Sequence, residues 1–295
     1  MTPTYNRGRF LPTAINSVKE QTYKNIEHIV VDDASDEPAS RFVDENEIVR
    51  IIRHDENQGA NAARNTGIEH SNGKYIAFLD DDDEWSPTKI EQQVRRALET
   101  DAGVVYTGIQ QKQDGKVYKT LIPDIEGDIT KKLLIGAPLP STSVIMVRTE
   151  VFNDVGMFDE KLPNHQDWEL YIRASKIYHF AAVTEALVTR YHHTEQISDD
   201  YIGKRDVTVP EMISKHGDLA IRYNVRDEFE AMLELTLGET ALRTGRFSEA
   251  HQHYRRSAIL NPNVASISRT LATVFGKWSY RPAKFTREMV DRIRS

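Results

Sequence analysis

Five consecutive acidic side chains, Asp80-Asp81-Asp82-Asp83-Glu84, follow an apolar run that ends in Phe78-Leu79. Side by side they repel one another, and a divalent cation, which prefers hard carboxylate oxygens, relieves that repulsion at least cost. The same run also reads as a solvated turn before a helix start, because Ser86-Pro87 follows and acidic residues are favoured at a helix N-terminus. Asp32 and Asp33 close another apolar run, Ile29-Val30-Val31. One fixed cation, Arg64, lies in the small-residue stretch 57–67. It has the reach to meet a diphosphate; equally, the small residues pack a helix on a sheet and Arg64 takes a surface ion pair. His192 and His193 end a strand-like stretch, and imidazole is a common metal ligand. At most one of the two can point inward, and a structural role for that one is the other reading. Cysteine is absent, which excludes disulfides, thiolate metal sites and a cysteine nucleophile.

Hydrophobic periodicity supplies the elements that must position these groups. Leu11, Ala14, Ile15 and Val18 predict a helix within 8–22. Strands are expected at 26–31, 48–52, 75–79 and 103–109, and helices at 57–70 and 86–100. That alternation predicts βα units on a mostly parallel sheet. Ligands in such sheets sit beyond the carboxyl ends of the strands, where Asp33 and Asp80 fall. Further on, strands are expected near 116–122, 143–148 and 180–193, with helices near 128–135, 149–154 and 165–177. From about residue 200 only helical signals remain, with no linker to mark the change.

Composition narrows the class. With 295 residues and 39% hydrophobic content, the chain can build a sizeable core. A net charge of −7 argues against nucleic-acid binding by bulk charge. No run approaches the ~18 apolar residues of a membrane span, and the N-terminus carries no signal-peptide core. A cytoplasmic location is the expectation.

Several short motifs occur in a fixed order: Pro3-Thr4-Tyr5-Asn6-Arg7, Asp32-Asp33-Ala34-Ser35, Asn57-Gln58-Gly59 with Ala63-Arg64-Asn65, and Leu79 through Asp83. Val155-Gly156-Met157-Phe158-Asp159-Glu160, His165-Gln166-Asp167-Trp168-Glu169-Leu170, His193 and Ser198 continue the series. The ordered set resembles the family 2 glycosyltransferases of the GT-A fold. The resemblance implies a Rossmann-like mixed α/β sheet flanked by helices as a catalytic domain over 1–200, then an all-helical region over 201–295. In that family an apolar strand precedes the Pro-Thr-Tyr-Asn-Arg motif. Here only Met1 and Thr2 do, so a first strand truncated at the N-terminus is expected.

The resemblance also implies residue roles. Pro3, Tyr5, Asp32, Asp33, Asn57, Arg64, Asp80 and Asp81 would contact the nucleotide sugar. Tyr5 and Asp33 would lie against the base, Asp33 accepting from a uracil-type imide, and Asp32 and Arg64 would support them. Asp80 and Asp82 would hold Mn²⁺ or Mg²⁺ against the diphosphate, with Asp81 or Asp83 able to share the load, and His193 would close over the donor as a further ligand. Asp167 would take the proton of the acceptor hydroxyl. Where the family usually has an acidic residue before this Asp, the chain has Gln166, and Asp167 also reads as an N-cap or first-turn residue of a helix over 168–177. Glu169, two residues on, points elsewhere.

One base and in-line attack imply inversion at the anomeric carbon. The expected activity is metal-dependent transfer from a UDP- or GDP-type sugar to a sugar, lipid-linked or protein-linked acceptor. Cell-surface polysaccharide, glycolipid or glycoprotein glycan synthesis would be its setting. A sugar-nucleotide pyrophosphorylase would want a Gly-rich basic loop after the first strand, which Pro3 to Arg7 is not. A non-catalytic scaffold fits poorly with Asp33, Arg64, Asp80, Asp82 and Asp167 all being present.

Residues 231–264 resemble a single tetratricopeptide repeat through Leu237-Gly238, Gly245, Ala250, Tyr254 and Pro262. One such unit cannot bury its own face, so packing on neighbouring structure is expected rather than an independent groove. In the tail 277–295, Lys277, Arg281, Lys284, Arg287, Arg292 and Arg294 outweigh Glu288 and Asp291, with Trp278, Tyr280 and Phe285 interleaved. That composition suits either a peripheral membrane contact at the cytoplasmic face or a solvated helix.

Overall fold

The computed structural model describes residues 1–136, 139–191 and 200–274. Its first elements are β1 (Thr2–Thr4), α1 (Leu11–Lys19), β2 (His28–Asp32), β3 (Val49–Arg53), α2 (Ala60–Glu69) and β4 (Tyr75–Ala77). They continue with β5 (Asp83–Trp85), α3 (Lys89–Thr100), β6 (Val104–Gln113), β7 (Lys116–Leu121), α4 (Thr130–Ile135), β8 (Ile145–Arg148), α5 (Thr149–Val155), α6 (Gln166–Ser175) and β9 (Phe180–Tyr191). Strands β1, β2 and β3 form a parallel sheet in that order. Residue 1 joins it to β4: the Met1 amine donates to the Ala77 carbonyl at 2.7 Å, and Leu79 N–H donates to the Met1 carbonyl at 3.0 Å. The inner place beside β2 is thus held by a strand of three residues.

The second sheet runs β4-β8-β6-β9-β5, with β7 added on β6. Here the mostly parallel expectation needs correction. Within it β6 and β9 pair in parallel, whereas the β4–β8, β6–β8, β5–β9 and β6–β7 pairs are antiparallel. One cause is local: Asp114 and Gly115 both adopt positive φ (50° and 75°), the geometry of a tight hairpin turn, so β7 folds straight back on β6. A second correction concerns 83–85, expected as a turn before a helix. These residues form β5, with Asp83 opposite Arg190 and Trp85 opposite Val188 on β9.

Apolar clusters pack against both sheets. Leu11 and Ile15 of α1 pack with Val30, Ala39 and Val49. Ala97 of α3 packs with Val105, Met146, Ala181, Val183 and Leu187 from three strands. Each fully buried aliphatic side chain contributes about 1.5–3 kcal/mol, which fixes the strand ends from which the acidic groups project.

The chain divides into two compact units: Met1–Leu133, Ala137–Lys161 and His165–Glu195 make the first, and Leu134–Gly136, Leu162–Asn164 and Gln196–Ser295 the second. The second unit contains α7 (Tyr201–Gly203), a π-helical turn (Lys204–Thr208), α8 (Val209–Arg222), α9 (Arg226–Arg243), α10 (Phe247–Leu260) and α11 (Val264–Thr273). Helices α9 and α10 pack together, with Gly238 against Tyr254. A Cβ there would lie 2.6 Å from the Tyr254 ring. Gly245 turns the corner at φ +77°, a backbone region costly for other residues. Inside this unit the His253 ring bridges Glu234 (2.7 Å) and the Tyr201 hydroxyl (2.9 Å).

Candidate active site

The acidic run sits between two strands, and its four aspartates meet different surroundings. Asp80 leaves β4 with its N–H donating to Ser143 Oγ at 3.0 Å. Its Oδ1 accepts from Arg64 Nη2 at 3.0 Å and from Thr142 Oγ1 at 3.1 Å. Burial alone would raise Asp80, but Arg64, Arg190 and the Thr142 hydroxyl hold its carboxyl below the usual range. Asp81 is buried and accepts from Thr4 Oγ1 at 2.8 Å. Burial pushes it up to about 7 despite Arg7, whose Nη1 lies 3.4 Å away. Asp82 accepts a hydrogen bond from Arg7 Nη2. Asp83 is buried with the Arg190 Nε 3.8 Å away, and burial pushes it up to about 7 against that cation.

Each aspartate of the run therefore has an arginine beside it. Charge relief by a metal or by solvent and a helix N-terminus is the expectation; Arg7, Arg64 and Arg190 supply much of it. Arg190 arrives from a strand more than a hundred residues downstream, which no local pattern announces. The hydroxyls of Ser141, Thr142 and Ser143 also went unread, though three adjacent small polar residues before an apolar strand are a visible signal. Ser143 ties the two ends of the run together, since its carbonyl also accepts from Trp85 Nε1 at 3.0 Å.

The residues expected to meet a nucleotide lie on and after β1 and β2. Asp33 N–H donates to the Thr4 carbonyl at 2.9 Å, Asn6 N–H to Ser35 Oγ at 2.9 Å, and Asp36 N–H to Asn6 Oδ1 at 2.7 Å. Pro3 lies inside β1 and Tyr5 stands exposed just beyond it. Asp32 is wholly buried and accepts from Ser35 N–H, Ala39 N–H and Arg53, each within 2.8–2.9 Å, so it shapes the loop from beneath.

Asp33 is more engaged than its expected role requires. Its Oδ1 accepts from Gln58 N–H at 2.9 Å and lies 2.7 Å from His54 Nδ1, while Oδ2 accepts from Gly59 N–H at 2.8 Å. A carboxylate offers about four acceptor positions, so roughly one remains for a ligand. Asn57 borders the same loop, its amide 3.4 Å from the Asp33 carbonyl. His54, unremarked in the sequence, is the residue that orients Asp33, its other nitrogen lying 2.9 Å from Thr66 Oγ1.

Arg64 projects from α2 into the site, and its Nε and Nη1 are buried without a hydrogen-bond partner. Unsatisfied buried donors on a cation are costly, and an anionic group at that place would satisfy them. Helix α2 is locked in place by two asparagines. Asn61 donates to the Asp159 carbonyl at 3.0 Å. Asn65 donates to Phe158 O (3.0 Å) and Glu160 (2.8 Å) and accepts from Phe158 N–H (3.0 Å). The 155–160 segment is gripped from its other side by Arg173, which donates to the carbonyls of Val155, Gly156 and Met157 and pairs with buried Glu169 at 2.8 Å.

That double grip sets Asp167. It lies in the first turn of α6, one residue inside the helix; the N-cap is His165, at φ +58°. Asp167 Oδ1 accepts from Trp168 N–H at 2.8 Å. Burial raises its pKa, with Arg64 lowering and Asp80 raising it as the charges within electrostatic reach. Tyr171, one turn along, places a buried hydroxyl with no hydrogen-bond partner in the field of the same three groups. Asp32, Asp33, Arg64, Asp80, Asp81, Asp82 and Asp167 thus belong to one unit. His193, Ser198 and the basic tail 277–295 lie outside the described residues.

The donor set suits a hard divalent ion held jointly with phosphate oxygens. Asp80 and Asp82 offer carboxylates. Among the described residues no group of three or more His, Cys, Asp or Glu side chains is placed to cage a metal. Mg²⁺-type sites are commonly built this way, from one or two carboxylates plus substrate phosphates and water. The unpartnered Arg64 donors fit an anion.

Residues 1–156 match the family model described as glycosyl transferase family 2, and the chain belongs to that family. It is 30% identical over 218 residues to the amylovoran biosynthesis glycosyltransferase AmsB of Erwinia amylovora, covering 68% of this chain and 71% of the relative. An uncharacterized glycosyltransferase of Rickettsia bellii is 31% identical over 204 residues, which are 66% of this chain and 29% of that protein. The chain spans about a third of the length of the rickettsial relatives it matches first. Two solved structures share the fold. S. aureus TarS 1–349 in complex with UDP-GlcNAc has a TM-score of 0.61 at 16% identity, covering 96% of this chain and 90% of that one. The mannosyltransferase PcManGT of Pyrobaculum calidifontis, in complex with GDP-Man and Mn²⁺, has a TM-score of 0.60 at 15% identity, covering 98% and 83%. The first unit is a mixed α/β sheet of the GT-A type, accompanied by a helical C-terminal region. Among the described residues no helix is long and apolar enough to cross a membrane.

Proposed function

We propose that the chain transfers a sugar from a nucleoside-diphosphate donor to an acceptor hydroxyl, with inversion, in surface polysaccharide or glycolipid synthesis. The observation that carries this reading is the convergence of Arg64, Asp80 and Asp167 from three separate elements, within electrostatic reach of one another. Tyr5, Asp33 and Asn57 border the place for the base, and the open donors of Arg64 face the diphosphate. Asp80 and Asp82 would hold Mn²⁺ or Mg²⁺, with Asp81 adjoining and His193 as a further ligand. The metal supplies Lewis-acid neutralisation of the charge that develops on the leaving diphosphate. Asp167 accepts the acceptor hydroxyl's proton while that oxygen bonds to the anomeric carbon and the bond to the phosphate oxygen breaks. A carboxyl raised by burial is a better base for this task than an exposed one.

AmsB is named for amylovoran biosynthesis, and the solved neighbours carry UDP-GlcNAc or GDP-Man with Mn²⁺, which supports a UDP- or GDP-type donor. The acceptor is a sugar, lipid-linked or protein-linked. In the helical region, taken as 201–295, the Gly238–Tyr254 approach and the positive φ of Gly245 support the tetratricopeptide-like reading of 231–264. The tail 277–295 provides peripheral contact with the cytoplasmic face of a membrane. The test is thermal melting with UDP, GDP and their sugars, with and without Mn²⁺, followed by transfer assays with the stabilising donor. Ligand at a hundred times its Kd adds about 2.7 kcal/mol. Absence of any metal-dependent shift with every nucleotide would remove the proposal.

A further inference from the structure

The three arginines around the acidic run are not equivalent. Arg64 is held in a helix with a side chain 8% exposed, and Arg190 is fixed in a strand by its pairing with β6 and β5. Arg7 comes from the loop between β1 and α1, its side chain 20% exposed. Its Nη2 donates to Asp82 Oδ2, its Nη1 lies 3.4 Å from Asp81 Oδ1, and its guanidinium lies 5.0 Å from the Phe10 ring centroid. A guanidinium bonded to a carboxylate and a divalent ion bound to the same carboxylate repel each other, so each weakens the other's hold on it.

We propose that Arg7 is the internal counter-cation of Asp82, which it holds when no divalent ion is bound and yields when one arrives with a nucleotide. The proposal rests on the reading of Asp82 as a metal ligand. Of the three arginines only Arg7 contacts Asp82, and a loop side chain can leave its carboxylate without unpacking a helix or strand. Once displaced it carries free donors within electrostatic reach of Asp80, the carboxylate to which Arg64, with its own unpartnered Nε and Nη1, is bonded. Metal and nucleoside diphosphate then help each other: the ion frees Arg7, and the diphosphate gives Arg7 a new partner. Such coupling is reciprocal by thermodynamic necessity.

The test is Mn²⁺ binding by the full chain, followed by the electron paramagnetic resonance of the free ion, with and without UDP. If Arg7 occupies Asp82 for nine-tenths of the time, Arg7→Gln tightens Mn²⁺ alone by about tenfold, and by about threefold at two-thirds occupancy. UDP then improves Mn²⁺ affinity less in Arg7→Gln than in the native chain. A folded Arg7→Gln with unchanged or weaker Mn²⁺ affinity overturns the proposal. Asp82→Asn separates the two levels: native Mn²⁺ binding in that variant overturns the metal reading itself. Should Arg7→Gln not fold, the native chain answers through the Arg7 Nε–H resonance, assigned by its loss in Arg7→Lys. That signal moves when Mg²⁺ and UDP are added; if it stays put while the metal binds, Arg7 is not displaced.

Discussion

Arg64 Nη2 stands 3.0 Å from Asp80 Oδ1, joining helix α2 to the end of β4 by a charge-assisted hydrogen bond. The contact uses one corner of the guanidinium and leaves Nε and Nη1 unsatisfied. Arg64→Met should weaken UDP binding by about ten- to hundredfold, the 1.5–3 kcal/mol of a hydrogen bond to a charged group. Calorimetry with UDP checks this, and Arg64→Lys should recover only part of the loss because an ammonium lacks the planar fork.

Asp167 should behave as a base whose pKa lies above that of an ordinary aspartate, since burial raises it. The base must be ionised to act, so kcat should fall as pH drops through that raised value, earlier than for an ordinary aspartate. Asp167→Asn should lower kcat by about 10²–10⁴-fold and leave nucleotide affinity within about twofold, because the lost group acts only on the acceptor. A pH–rate profile and UDP titration of the same variant measure both.

Asp81 and Asp83 make a stability prediction with a definite sign. Both carboxyls are raised to about 7 by burial. The folded chain therefore binds more protons than the unfolded one between roughly pH 4 and pH 7. Their contribution to stability is present at low pH and is lost as pH rises through that window. Asp83→Asn cannot ionise, so its melting temperature should gain on the native chain from pH 5 to pH 8. The gain is at most about 1.4 kcal/mol per pH unit within the window. Melting curves at several pH values, in chelator, test it; a constant difference would contradict the buried-acid reading.

Asp33 organises the loop that leads into α2. Asp33→Ala removes partners from Gln58 N–H, Gly59 N–H and His54 at once, and should cost about 2–4 kcal/mol. Gly59 sits at φ +92° with open space where a Cβ would go. Gly59→Ala should therefore cost about 1–3 kcal/mol from backbone strain alone. Denaturant unfolding measures both costs; only Asp33→Ala leaves hydrogen-bond donors without their partner.

The alternation of β-branched runs and amphipathic stretches was enough to place β2, β3, α2, β6, β8 and β9 close to where they fall. The antiparallel half of the sheet was not legible, because strand direction depends on partners far apart in sequence, such as Tyr75 with Arg148. Strand β5 was hidden because Asp83-Glu84-Trp85 puts carboxylates on both faces, and nothing in that tripeptide suggests a strand until Arg190 and Thr189 are beside it. In the site, the acidic residues announced themselves by repetition. Their arginines did not: Arg7 and Arg190 are ordinary in local pattern and acquire meaning only by meeting Asp82 and Asp83. The Asn61 and Asn65 clamps explain why the 155–160 motif accompanies the α2 motif, a link that spacing alone conceals.

Strand β9 is laid between β6 and β5, and its pairing with β6 shifts register around Gly108 before Arg190 comes level with Asp83. Side chains alternate faces along a strand, so sliding β9 by a single position would swing Arg190 to the opposite surface. The segment from 180 to 191 is therefore a ruler, tolerant of many exchanges of one side chain for another but not of a change in length. Insertions or deletions in lineages of this chain should fall outside that stretch, while the count of residues between Phe180 and Arg190 is kept.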